Sequence, residues 1–248
     1  MTLSPLADET ANPGRVADVV NNYFATRLNA RNAPRVEPNE TDDGKPRGHI
    51  ALGLDLGFSV DHSALCAVEA IDGGDDAGRV YAVRKLERWP LRTEYIDVIE
   101  RTVEIYKRLR TKGHTCVILC DIGGARGVWE MLRDKGVNAY AVNLIGSGTT
   151  RLYGSHLTIV KTDMAATLSI LSNANKTRLL VPKMAKYARE LKTELRQYEI
   201  HVSASGSATF GAFANQAHDD LVSACGYALI YFERFGAASP NRSRVTWV

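Results

Sequence analysis

Three apolar runs, at residues 49–56, 63–70 and 79–87, follow one another with no helical pattern between them. Strands that succeed one another this closely pair as antiparallel neighbours, because a parallel pair needs a long crossover. The loop Asp72-Gly73-Gly74-Asp75-Asp76 between the second and third runs is a hairpin signature. After residue 90 the period changes. Tyr95, Ile96, Ile99, Val103, Tyr106 and Leu109 recur at helical spacing among charges and predict a helix over 93–112. A strand at 115–120, a helix at 128–135 and a strand at 137–142 follow. Helices at 162–174 and 184–198, a hairpin over 199–213 turning at Ser205-Gly206-Ser207, and a last helix over 219–235 complete the order. A doubly wound nucleotide-binding fold would alternate strand and helix from its start. This order instead predicts an α/β fold with a mixed β-sheet flanked by helices, antiparallel strands leading and parallel strands following.

Residues 1–48 have a different character. Val16, Val19, Val20, Tyr23, Phe24 and Leu28 fit an amphipathic helix, and Pro34, Pro38 and Pro46 among polar residues mark a linker. The expected organisation is an N-terminal helix and linker (1–48), one domain (49–236) and a tail (237–248). No run of apolar residues is long enough to span a bilayer, and the N-terminus lacks the basic-then-apolar order of a signal peptide, so the expectation is cytoplasmic. Cys66, Cys116, Cys120 and Cys225 sit in apolar runs without a C-x-x-C pair, which predicts buried thiols, with Cys116 and Cys120 on one strand face. A net charge of +3 permits a polyanionic partner without requiring one.

The chemistry is concentrated in acids. Asp55 interrupts the apolar run as Gly53-Leu54-Asp55-Leu56-Gly57, and a charge inside a buried strand is costly unless paired or bound to metal. Asp121 closes Val117-Ile118-Leu119-Cys120 just before Ile122-Gly123-Gly124. His218-Asp219-Asp220 opens the last helix, where acids also serve as caps. Two strand ends and one helix start can converge. Clustered carboxylates repel and raise one another's pKa, and hard divalent cations such as Mg²⁺ or Mn²⁺ resolve that repulsion. Two such ions about 3.5–4 Å apart suit phosphodiester hydrolysis.

These motifs resemble the nuclease domain of tailed-phage terminase large subunits. Gly53 to Gly57 followed by Asp61-His62-Ser63-Ala64-Leu65 is similar to that family's first nuclease motif, and Cys120-Asp121-Ile122-Gly123-Gly124 to its second. Lys161, Leu179-Leu180-Val181-Pro182, Glu190-Leu191, the Ser205-Gly206-Ser207 turn and His218-Asp219-Asp220-Leu221-Val222 follow the closing stretch in order. The resemblance implies an RNase H-like (RuvC-like) fold. It implies metal-dependent, two-metal endonucleolytic cleavage of double-stranded DNA in viral genome packaging, with Asp55, Asp121, Asp219 and Asp220 as catalytic and metal residues. The implied partners are a packaging ATPase domain or subunit, the small terminase and the portal, with no membrane, in the host cytoplasm if phage-encoded. Ser223 stands where many relatives carry a further acid, and no G-x-x-x-x-G-K-[ST] motor motif occurs, so the expectation is an excised domain or a separately encoded subunit.

Lys161, Arg126, Lys183 and Lys186 are candidate DNA contacts. The basic run through Arg189, Lys192 and Arg196 reads either as a solvated helix face or as a backbone-tracking stripe. In the last helix, Asp220 shares a face with Ser223 and is expected to face the metals, leaving Asp219 to cap. Gly53-Leu54-Asp55-Leu56-Gly57 and Asp121-Ile122-Gly123-Gly124 also resemble the two phosphate loops of the actin and sugar-kinase superfamily, and a Holliday-junction resolvase would share the metal chemistry.

Overall fold

The structure, a computed structural model, describes residues 48–72, 79–123, 125–173, 178–202, 208–212 and 219–236, with the backbone alone for 72, 199–202 and 208–212. The expected helix at 16–28, the linker, the loop at 73–76, the turn at 205–207, His218 and the tail lie outside these residues. All that follows concerns the second of the chain's two units, Ala33–Val248.

The leading strands form as expected. β1 (His49–Asp55), β2 (Ala64–Asp72) and β3 (Arg79–Arg88) are consecutive antiparallel neighbours. β4 (Thr115–Asp121) pairs parallel with β1 on its other side, and β5 (Ala139–Ile145) parallel with β4. The crossovers are α1 (Tyr95–Thr111) and α2 (Arg126–Asp134). A sheet of 8 strands results, in the order β6-β7-β5-β4-β1-β2-β3-β8. Its short outer strands, β6 (Arg151–Tyr153), β7 (His156–Val160) and β8 (Leu179–Leu180), were not expected from the sequence. They are too brief to show a period, and pairing with β5 and β3 holds them. β9 (Tyr198–Val202) and β10 (Ala208–Ala212) make the expected hairpin.

Helices cover both faces. Alternation along β1 sends Ile50, Leu52 and Leu54 towards α1 and α2, where Cys116 and Cys120 of β4 also lie in one core. Ala51 turns to the opposite core with Val117 and Leu119. That side is closed by α3 (Lys161–Ser172), α4 (Ala188–Gln197) and α5 (Asp220–Arg234). α4 starts four residues later than expected, because Tyr187 adopts a left-handed conformation (φ 65°) that a helix cannot continue through.

α5 is buried on every side from Asp220 to Phe232. Two glycines let it in. A Cβ on Gly53 would stand 1.8 Å from the Ala224 carbonyl oxygen, and one on Gly226 would stand 2.6 Å from Met164 Sδ of α3. A helix that is apolar around its whole circumference must be enclosed in this way. All of the cysteines are buried and free.

Candidate active site

Asp55 and Asp121 end adjacent parallel strands, one residue beyond the paired Leu54 and Cys120. Neighbouring strands lie about 4.8 Å apart, so the two residues stand side by side at the centre of the sheet. Period-2 alternation puts Asp55 in phase with Ala51 and Gly53, and Asp121 in phase with Val117 and Leu119. Both carboxylates therefore project to the α5 side.

One hydrogen bond orients each of them. Tyr227, buried in α5, donates its phenolic hydrogen to Asp55 Oδ1 at 3.0 Å. Gly123 N–H donates to Asp121 Oδ1 at 3.1 Å, closing a tight turn after β4. Behind Asp55, the loop from Gly57 to Ser63 is locked by a reciprocal pair: Ser63 Oγ donates to Gly57 O (2.8 Å) and accepts from Gly57 N (3.2 Å).

Burial and the neighbouring Asp121 carboxylate push Asp55 well above the ordinary aspartate range, against the opposing pull of the Tyr227 hydroxyl. Burial also raises Asp121, while the N–H groups of Gly123 and Ile122 oppose it. The Tyr227 phenol is raised well above its ordinary value by burial and by Asp55, so it remains a donor.

The third acidic element reaches the same place. Asp220 and Asp219, at the start of α5, both add to the negative potential at Asp55. Asp220 is almost wholly buried and engaged: its Oδ2 lies 3.1 Å from Arg88 Nη2 at the end of β3. Arg88 also pairs with Glu194 of α4. The expected cap by Asp219 is not made by its side chain. Glu194 Oε2 takes that role from a different helix, accepting Leu221 N–H at 3.0 Å and Val222 N–H at 3.2 Å. Asp219 is half-buried, and its charge is felt at Tyr198 as well as at Asp55.

The remaining candidates separate. Lys161 opens α3 just beyond β7, at the same end of the sheet as the acids but two strands from Asp121. Arg126 opens α2 after the Asp121 turn, exposed, 3.6 Å from Glu130. Lys183 and Lys186 are exposed ahead of α4.

Arg88, Glu194 and Tyr227 were not singled out from the sequence. Tyr227 had a signal, since it lies seven residues from Asp220 on one helix and so two turns along the same face. Arg88 and Glu194 come from other elements and had none.

Among the described residues, no three Asp, Glu, His or Cys side chains are gathered closely enough to hold a metal ion as they stand. Asp55 and Asp121 nevertheless fit a cation between them. They are adjacent, individually oriented, and burdened by a mutual repulsion that a positive charge would remove. At Asp220, Arg88 holds Oδ2, so a cation there would meet Oδ1 or displace the guanidinium.

No protein-family model and no curated protein matches the sequence. Solved structures do match in shape. The large terminase nuclease from thermophilic phage G20c superposes with a TM-score of 0.54 at 19% identity, over 82% of this chain and 92% of that one. The chain has the fold of a large-terminase nuclease domain. The large terminase nuclease domain of Thermus phage P74-26 gives a TM-score of 0.51 at 21% identity, over 83% and 89% of the two chains. A magnesium-bound form of the G20c protein gives 0.51 at 20% identity, over 79% and 89%. The terminase-nuclease fold is RNase H-like, and here it places the ends of β1 and β4 beneath the start of α5.

Proposed function

We propose that this protein is a divalent-metal-dependent endonuclease that hydrolyses phosphodiester bonds of double-stranded DNA by a two-metal route during viral genome packaging. The observation that carries the reading is the adjacency of Asp55 and Asp121 at the ends of the two central parallel strands, both turned to the helix bearing Asp219 and Asp220. The fold is shared with terminase nucleases solved with bound cobalt and magnesium.

Asp55 and Asp121 would hold Mg²⁺ or Mn²⁺. Asp219 and Asp220 would complete the set for a second ion. Bound there, the ions supply Lewis-acid activation of water and neutralise charge on the leaving oxygen. Tyr227 holds Oδ1 of Asp55 and so leaves Oδ2 for a cation. Gly123 does the same for Asp121. Arg88 and Glu194 keep the first turn of α5 in place. Lys161 and Arg126, at the same end of the sheet, would contact DNA phosphates. A packaging ATPase, a small terminase and a portal are the partners this reading implies.

Supercoiled plasmid incubated with Mn²⁺ tests the reading. Nicked and then linear DNA are expected, with none in EDTA and none with Asp55→Ala or Asp121→Ala. Cleavage that survives excess EDTA sinks the proposal.

A further inference from the structure

α1 and α4 both show charged faces to solvent, but the two faces are built differently. On α1, Arg101 pairs with Glu87 and Glu104, and Arg108 also pairs with Glu104. On that side these two arginines are paired, while Lys107 and Lys112 are exposed. On α4 and its approach, Lys183, Lys186, Arg189, Lys192 and Arg196 are all exposed. The acids there do not balance them: Glu190 is exposed, and Glu194 is turned inward to Arg88 and the start of α5. Arg189, Lys192 and Arg196 recur at spacings of three and four, so like charges stack along one side of the helix, an arrangement that opposes helix formation unless an anion lies against it.

Position adds to charge. Lys183, Lys192 and Arg196 border one groove of about 560 Å³ whose floor is apolar (Leu179, Val181, Leu195), and among the described residues no acid lines it. Arg189 and Arg196 are separated by about 10 Å along the helix, at 1.5 Å per residue. Arg196 lies two residues before Tyr198, which is packed where the charges of Asp219 and Asp55 both reach it. Lys186 is held over the Tyr187 ring at 4.7 Å, and the Tyr187 hydroxyl donates to the Arg88 carbonyl oxygen at 3.2 Å. The basic face is thus joined to the end of β3, whose Arg88 pairs with Asp220, and through Glu194 to the first turn of α5.

We propose that the outward face of α4, with Lys183 and Lys186 before it, is the track along which the phosphate backbone of duplex DNA is led to the Asp55–Asp121 site. The inference rests on the nuclease reading for its ligand and adds where that ligand lies. Phosphate contacts of this kind position a duplex without reading its sequence.

The test is equilibrium binding of a short fluorescent DNA duplex to the full chain in EDTA, where no cleavage occurs, across about 50–200 mM salt. The triple variant Arg189→Gln/Lys192→Gln/Arg196→Gln is compared with wild type and with Lys107→Gln/Lys112→Gln/Lys135→Gln, which removes the same charge from the opposite layer. The α4 variant should bind at least about tenfold more weakly, and its slope of log K against log salt should shrink by about 0.9 for each phosphate no longer neutralised. The control should bind like wild type, and the α4 variant should melt at or slightly above wild type, since its stacked like charges are gone. Equal weakening in the two triple variants, or none in the α4 variant, overturns the track. A protein that binds through α4 yet never cuts with Mn²⁺ would leave the track standing and remove the nuclease reading. One that cuts but binds independently of α4 would do the reverse.

Discussion

Arg88 Nη2 lies 3.1 Å from Asp220 Oδ2 at the point where β3, α4 and α5 meet. Asp220 is buried, Arg88 is largely so, and the buried Glu194 is the second carboxylate on the same guanidinium. Removing one partner of a buried pair leaves the other charge uncompensated. Asp220→Ala is therefore expected to destabilise the protein by about 3 kcal/mol, the lower end of the usual range because Glu194 stays on Arg88. Asp219→Ala should cost less than Asp220→Ala, since its side chain is only half-buried and does not cap α5. Sequence reasoning pointed the other way, to a stabilising cap at Asp219. Urea melts of the two variants decide between them, and equal destabilisation would contradict the structure.

The crowding of Asp55 and Asp121 carries a pH signature. Burial and Asp121 hold Asp55 well above its unfolded value of 3.8, so the folded state retains a proton that the unfolded state has released. Its contribution to stability is thus full below pH 3.8 and is lost as pH rises through the raised folded value. In EDTA, Asp55→Asn should melt with wild type at low pH and progressively above it as pH rises. A variant that is less stable than wild type near neutral pH would mean that Asp55 has a stabilising partner instead.

Tyr227 gives a sharper test of orientation. Tyr227→Phe keeps the ring in its packing place and deletes only the hydroxyl that holds Asp55 Oδ1. Groups that orient a metal-binding carboxylate typically contribute about 10–100-fold to metal affinity. Calorimetric titration with Mn²⁺ should show weakening of that order at a nearly unchanged melting temperature. Unaltered Mn²⁺ affinity would reduce Tyr227 to a packing residue.

Gly53 controls how closely α5 approaches the sheet. A methyl group at this position would meet the Ala224 carbonyl oxygen at 1.8 Å, and a backbone atom cannot swing aside as a side chain does. Gly53→Ala should cost about 1–3 kcal/mol, as overpacked cores do. It should also abolish cleavage, because lifting α5 withdraws Tyr227 and Asp220 together. A fully active variant would show that the helix can slide without penalty.

The central architecture was readable because it is local. Back-to-back apolar runs fixed the antiparallel β1–β2–β3 unit, and Asp55 and Asp121 stood out as charges at the limits of apolar strands. β8, with two residues, carries no period at all and exists only through its pairing with β3. The Arg88–Glu194–Asp220 cluster was hidden for a related reason. Each member looks like an ordinary surface charge in its own segment, and only the packing of three distant elements buries them together.

The hydrogen bond from Tyr227 to Asp55 closes a separation of 172 residues. Closing so long a loop is entropically disfavoured until much of the intervening chain is ordered. The leading hairpins join residues close in sequence, whereas α5 meets β1, β2 and α3 from the far end of the domain, so its contacts are expected to form late. A partly folded molecule would then hold Asp55 and Asp121 on a finished sheet with the face above them bare. The apolar face of β1 and β2 that α5 covers would lie open to water, so a copy lacking this long-range contact would be sticky as well as incomplete at Asp55.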